Sequence, residues 1–244
     1  MQNMVSAKDI IVKPIDSKSA NAFVRKCHYS GKVVSNSQLH LGAFLNGKLH
    51  GVMSFGPSLD KSKIKRLVTD TGWNEFIELN RMAFDDHLPK NSESRCIAVA
   101  IKLLKKHAPQ IKWIISFADG TQCGDGTIYR ASGFYLTAIR PNQNTIRLPD
   151  GSVIHKMTLE SSPLQKRDEL DGKSYYDLTG GKYNLKKYAE YVNGKVLVGY
   201  QLRYIYFIDK SYKEKLTVPI LPFSKIAEMG AKMYKGKPGD NGLK

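Results

Sequence analysis

Leu39-His40-Leu41-Gly42-Ala43-Phe44-Leu45-Asn46-Gly47-Lys48-Leu49-His50-Gly51-Val52-Met53-Ser54-Phe55 decides the fold. Two runs of strand-type residues flank Asn46-Gly47. That pair readily takes two successive positive φ angles, so the segment predicts a β-hairpin closed by a tight turn. Gly56-Pro57 ends the second strand. On the N-terminal side, Asp16 to Cys27 predicts an α-helix. Asp16 or Ser17 can cap it, and Ala20, Phe23, Val24 and Cys27 recur at helical spacing. His28-Tyr29-Ser30-Gly31 follows, with Gly31 suited to the left-handed conformation that closes a helix.

On the C-terminal side, Glu75 to Phe84 reads as a strand leading into the polar loop Asp85 to Ser94. A helix is expected from Ser94 to His107, with Ile97, Ile101 and Leu104 on one face and Ser92 or Ser94 as its cap. Ile111 to Phe117 reads as a short buried strand. A glycine-containing loop (Gly120, Gly124, Gly126) then opens a short helix, Thr127 to Ser132, stopped by Gly133. Tyr135 to Ile139 and Val153 to Leu159 read as a final pair of strands, and Val196 to Ile208 contains at least one more. The order predicts an α/β (α+β) fold, a mixed central sheet flanked by helices. Residues 1–160 are expected to form the catalytic core. Residues 161–244 form a basic C-terminal region, holding ten of the 13 tyrosines, expected to pack on the core.

The chain of 244 residues is 41% hydrophobic, enough for a substantial core. It has no apolar run of membrane-spanning length and no apolar signal-type stretch at its start, so a cytoplasmic protein with no membrane partner is expected. The three cysteines, Cys27, Cys96 and Cys123, are widely spaced and form no C-x-x-C pair. A reducing compartment fits that usage, and Cys96 reads as a small core residue. The net charge of +16, from 38 Lys+Arg against 22 Asp+Glu, points to a polyanionic partner.

Several groups can carry chemistry. The Leu88 to Arg95 loop delivers a helix N-terminus, whose free N–H groups suit a phosphate-bearing ligand. Lys90, Asn91, Ser92, Ser94 and Arg95 are the candidate cofactor contacts, although an ordinary capped helix would look the same. Asp119 and Ser116 fall at the carboxyl end of a buried strand, where ligands collect in open α/β sheets. Asp85-Asp86 beside His87 suggests a general base or metal ligand, with one carboxylate facing the pocket and the other solvated. His28 and Tyr29 offer a titratable ring and a stacking surface, or a plain helix C-cap. His40 and His50 flank the hairpin, and an approach across the strands is open to them. No spacing of a structural zinc site is present.

Ile128-Tyr129-Arg130-Ala131-Ser132-Gly133-Phe134 resembles the Tyr-x-x-x-Gly-Phe helix ending of the GCN5-related N-acetyltransferase superfamily. In that superfamily the tyrosine protonates the departing coenzyme A thiolate, and Tyr129 stands in its place. The loop Leu88 to Arg95 has no glycine, whereas that superfamily's pyrophosphate loop usually carries Gly-x-Gly/Ala. Within this acyltransferase-like class the chain resembles the Mom family of phage DNA-adenine modification proteins. The resemblance rests on Glu78-Leu79-Asn80-Arg81, Leu88 to Arg95, Ser116-Phe117-Ala118-Asp119, Gly126 to Phe134, Leu202 to Asp209 and Val218 to Phe223. It implies N6-carbamoylmethylation of adenine in DNA, which shields phage DNA from host restriction. Acetyl-CoA or a related acyl donor is the implied cofactor, with a metal ion as a possible addition. The expected catalytic residues are Asp119, Tyr129, His28 and Asp85. The expected substrate contacts are Tyr29, Ser116 and Arg81. A coenzyme A-dependent N-acetyltransferase of a small amine or protein, and a non-catalytic DNA-binding protein, are the alternatives.

An enzyme acting on the adenine amine has to flip the base out or use single strands, and recovers that cost through phosphate contacts and stacking. Lys186, Lys187, Arg203, Lys210, Lys213 and Lys215 are the expected phosphate contacts, with Lys61, Lys63, Lys65 and Arg66 as the alternative face. Tyr29 and the Tyr204–Tyr206 pair are candidates for stacking. The spacing of two between Tyr204 and Tyr206 equally places them on one strand face, packed on the core.

Overall fold

In a computed structural model, residues 6–121, 124 and 126–231 are described. The elements in chain order are β1 (Ile11–Pro14), α1 (Ser17–Cys27), β2 (Leu39–Leu45), β3 (Lys48–Gly56), α2 (Lys61–Lys65), β4 (Phe76–Phe84), α3 (Ser92–His107), β5 (Trp113–Asp119), α4 (Thr127–Ala131), β6 (Tyr135–Arg147), β7 (Val153–His155), α5 (Lys156–Ser161), α6 (Tyr175–Thr179), α7 (Leu185–Tyr191), β8 (Lys195–Phe207) and α8 (Ser224–Glu228). The strands form one eight-stranded sheet in the order β1-β2-β3-β4-β5-β8-β6-β7. Every neighbouring pair is antiparallel except β4 and β5, which run parallel. The expected mixed sheet flanked by helices is present.

The hairpin forms as its sequence dictates, with Asn46 at φ 51° and Gly47 at φ 77°. Asp16 caps α1 by accepting from the Ser19 amide. The start of α3 differs from expectation. Its N-cap is Asn91, in the left-handed conformation, and no side chain caps it. The Ser92 and Ser94 hydroxyls donate backward instead, to the carbonyls of Pro89 and Asn91.

Residues 135–159 also depart from the simple strand pair. β6 continues well past Ile139, and β7 pairs only with its far end, Thr145–Arg147. The chain turns helical at Lys156, because His155 accepts the Met157 amide as an N-cap and Leu159 is buried. β8 enters between β5 and β6, so the sheet is completed by chain from beyond residue 160.

Side chains alternate across the sheet. On one face Leu79, Ile114, Ala118, Leu202 and Tyr204 pack with Cys96, Ile97 and Leu104 of α3 and with Tyr129 of α4. On the other face Trp113, Ile115, Ile205 and Phe207 pack with Val68 and Tyr212. Val52 and Ala83 meet α1 there through Ala20 and Val24. Trp113 is fully buried and stacked on Phe76 at 4.5 Å. A separate cluster, Ile146, Leu159, Leu170, Tyr175 and Tyr188, joins α5, α6 and α7 to the sheet end.

Candidate active site

The parallel pairing of β4 and β5 covers only Phe76–Leu79 against Trp113–Ser116. β4 then continues to Phe84 and β5 to Asp119, so the strands part at their carboxyl ends. A bulge on β4 contributes: Ser54 lies opposite Arg81 and Phe55 opposite Leu79, which leaves Asn80 as the extra residue. Such a bulge bends its strand and re-aims the side chains beyond it. The opening sits where open α/β sheets hold ligands.

Ser116 lies at the point where the strands part. Its fully buried hydroxyl is 2.8 Å from the Leu79 carbonyl and 2.8 Å from the Tyr129 hydroxyl. A carbonyl only accepts, so Ser116 donates to Leu79 and accepts the Tyr129 O–H. The Tyr129 ring is 8% exposed and packs on Phe134 and Tyr204. Gly126, the N-cap of α4, has φ 72°, and a Cβ there would come within 2.6 Å of the Tyr204 ring. Glycine is therefore needed for Tyr129 to reach Ser116 on so short a helix.

Asp119 follows the alternation of Trp113, Ile115 and Phe117, so it points to the opposite face from Ser116 and Tyr129. It is the last residue of β5 rather than the first of the loop. Its Oδ1 accepts from the Thr121 amide at 2.9 Å and from Asn142 Nδ2 at 3.3 Å. Arg81 falls on the same face as Ala83, and its guanidinium reaches the carbonyls of Lys32 and Asn80. Burial, with the Arg81 charge second, pulls the His28 pKa down to about 4. His28 Nδ1 is 2.8 Å from Ser30 Oγ, and its ring lies 4.3 Å from that of Tyr29, which is 48% exposed. His28 is therefore neutral near pH 7, with a surface aromatic beside it.

Arg81 thus lies near His28, with Tyr29 beside it, and His155 feels the charges of both Arg81 and Asp119. Ser116 and Tyr129 meet on the opposite face from Asp119. Asp85 belongs to a different group. Its carboxylate contacts His50 and His87 at the far end of β4. His50 does not approach His40, which is buried and paired with Ser54 across the hairpin. Cys96 is buried in the core as expected, and Cys123 lies outside the described residues.

Three participants had no signal in local sequence. His155 is held below its ordinary pKa mainly by burial, and it feels the opposing charges of Asp119 and Arg81. Burial raises the Glu78 carboxyl, against the pull of Arg81. Asn142, buried on β6, anchors Asp119. Each reaches the site through sheet pairing or chain return, and no motif marks them.

Residues 9–225 match the model of the Mom protein family. The chain belongs to that family. It is 33% identical over 215 residues to "Methylcarbamoylase mom" of Escherichia phage Mu, covering 88% of this chain and 82% of that protein. Among solved structures, the spermidine/spermine N-acetyltransferase SpeG of Vibrio cholerae is similar with a TM-score of 0.44 at 7% identity, over 85% of this chain and 98% of that one. The putative acetyltransferase yncA of Salmonella typhimurium has a TM-score of 0.43 at 11% identity, over 83% and 95%.

In this Mom family member, the residues expected to hold DNA fall into separate places. Arg203, expected as a phosphate contact, is instead buried, 8% exposed. Its guanidinium donates to the hydroxyl and carbonyl of Thr137 on the neighbouring strand. Tyr204 is wholly buried and Tyr206 packs on Phe134, so both serve the core, as their spacing allowed. Lys186 and Lys187 lie on α7, where Lys186 faces Glu190. Lys215 instead lies against the segment after α2, since its carbonyl accepts the Thr69 amide and Leu216 bridges Val68, while the Lys213 ammonium sits 4.6 Å from the Tyr135 ring centroid on β6. A shallow hollow of about 620 Å³ there is lined by Lys65, Arg66 and Trp73. No helix among the described residues is long and apolar enough to cross a membrane.

Proposed function

We propose that this chain is a transferase that modifies the N6 amine of adenine in DNA, with a carbamoylmethyl group as the product substituent. The observation that carries this reading is the likeness, over most of the chain, to the methylcarbamoylase of phage Mu. The charge of +16 and the opening between β4 and β5 agree with it.

The adenine N6 lone pair is delocalised into the ring, so the amine reacts well only if its proton leaves as the new N–C bond forms. A positioned base supplies about 10²–10⁴-fold in such a step. Asp119 and His28 are the candidates. Asp119 is held in place by Thr121 and Asn142, and His28 keeps its imidazole neutral. Arg81 lies close enough to both His28 and His155 to influence their titration, and it orients the substrate. Tyr29, exposed beside His28, stacks on the flipped base.

Across the sheet, the first turn of α3 receives a phosphate-bearing donor, such as a coenzyme A derivative. Its N-terminus carries no side-chain cap and has Lys90, Asn91 and Arg95 around it, which fits an anionic group. Bound there, the donor supplies the activated carbon. Acetyl transfer alone would place a carbonyl carbon on N6, whereas a carbamoylmethyl group attaches through a methylene. The product therefore demands a different donor or a further step. Tyr129 gives a proton to the leaving group, and its hydrogen bond with Ser116 supports that role by fixing the hydroxyl. DNA lies along the basic residues of the C-terminal region, Lys213 and Lys215 among them, and on to Lys65 and Arg66, whose segment Lys215 and Thr217 touch.

Mass analysis of nucleosides from DNA co-expressed with the protein tests the reading. A modified deoxyadenosine carrying the carbamoylmethyl mass is expected. Unmodified adenine throughout, with soluble folded protein, overturns it.

A further inference from the structure

We propose that His50, Asp85 and His87 form a binding site for one divalent transition-metal ion, apart from the Asp119 group. His50 Nδ1 lies 2.9 Å from Asp85 Oδ2, and His87 Nδ1 lies 3.3 Å from Asp85 Oδ1. The three ligand atoms fall within 4.8 Å of one another. Zinc–nitrogen and zinc–oxygen bonds of about 2.0–2.2 Å place neighbouring tetrahedral ligands about 3.3–3.6 Å apart, so small side-chain adjustments would seat an ion among these atoms.

The backbone brings these groups together. In the hairpin ladder Gly51 pairs with Ala43 and Leu49 with Phe44, which makes His50 the extra residue of a bulge. On its other side the Asp85 amide donates to the His50 carbonyl at 3.0 Å, extending the β3–β4 pairing by one step. His50 and Asp85 are therefore a cross-strand pair whose side chains share a face. Asp85 also accepts the His87 amide at 3.0 Å, which folds the chain back and brings the second ring over the carboxylate. The two imidazole centroids are 5.5 Å apart.

Two imidazoles and one carboxylate suit zinc, cobalt, nickel or ferrous iron better than magnesium or calcium, which prefer all-oxygen sets. His50 and Asp85 are largely shielded, while the His87 side chain is 77% exposed. Beyond the two rings lies a hollow of about 420 Å³, lined also by Asn46, Lys48, Leu88 and Pro89. It leaves room for water or an anionic oxygen at the remaining position. Leu88 and Pro89 begin the loop that opens α3. A metal here would fasten the hairpin to that loop.

The test uses the untagged full chain, stripped with chelator and titrated with Co²⁺ by visible absorption and with Zn²⁺ by calorimetry. One ion per chain, intense cobalt bands and a raised Tm are expected. His87→Ala leaves the fold intact because that ring is on the surface, and it should weaken binding at least about tenfold. Asp85→Asn should do the same. The exposed His107, on α3, supplies the control: His107→Ala should bind as the wild type does. Absence of binding by the wild type overturns the proposal. So does equal affinity in His87→Ala and Asp85→Asn, or a loss in His107→Ala as large as theirs.

Discussion

Replacing Tyr129 by Phe separates a catalytic hydroxyl from a structural one. The ring contacts to Phe134 and Tyr204, at centroid distances of 5.4 and 5.2 Å, are retained by Phe. The bond to Ser116 at 2.8 Å disappears. Ser116 keeps its own donor bond to Leu79, so at Ser116 an acceptor is left short. That change costs about 0.5–1.5 kcal/mol, which lowers Tm by a few degrees in a chain of this size. If the hydroxyl protonates the leaving group, the rate falls by about 10²–10⁴, or roughly 3–5 kcal/mol of barrier. The kinetic effect should therefore exceed the stability effect severalfold. Initial rates on DNA, read as modified nucleoside, and thermal denaturation of the same preparation measure the two together. A Phe variant within about threefold of the wild-type rate would refute the proton-donor role. The residue would then be a core tyrosine held by Ser116.

Asp119→Asn should abolish modification while leaving Tm nearly unchanged, because an amide oxygen can still accept from Thr121; full activity in a folded variant removes Asp119 from the chemistry. His28 is held near 4, below its ordinary 6.5, so between these values the unfolded chain binds a proton that the folded chain does not. Stability is therefore fullest above pH 6.5 and falls by about 3 kcal/mol as the pH falls toward 4. Urea unfolding at pH 7 and pH 4.5 should show a smaller difference for His28→Gln than for the wild type, and equal differences would refute that burial. Arg203→Ala should destabilise by about 1–3 kcal/mol, by stranding the buried Thr137 groups, with no change in the salt dependence of DNA binding. Replacing Lys65, Arg66, Lys213 and Lys215 by Gln should reduce the slope of log affinity against log salt by up to about 0.9 for each phosphate no longer neutralised. The pair Lys186 and Lys187, replaced alone, tests the α7 face in the same assay.

Sequence alone determined the parts of this protein that are settled by neighbours in the chain. Asn46-Gly47 dictates the hairpin because few other pairs take two positive φ angles cheaply. The spacing of Ala20 and Val24 dictates α1, and that of Ile97 and Leu104 dictates α3. The Gly126 to Phe134 motif marked α4 and Tyr129, and the order of elements predicted a mixed sheet. Tertiary structure alone decided what depends on distant pairing. β8 lies between β5 and β6, although nearly fifty residues separate β6 from β8 along the chain, and local propensity carries no information about such a partner. That insertion buries Arg203, which read in sequence as a surface cation, and decides for the core between the two readings open to Tyr204. The departure of β4 from β5 beyond Leu79 and Ser116 opens the sheet beside Asp119, and a strand pattern does not say where pairing stops. The bulge at His50 turns its ring onto Asp85, 35 residues away, a meeting fixed by register rather than by spacing in the sequence.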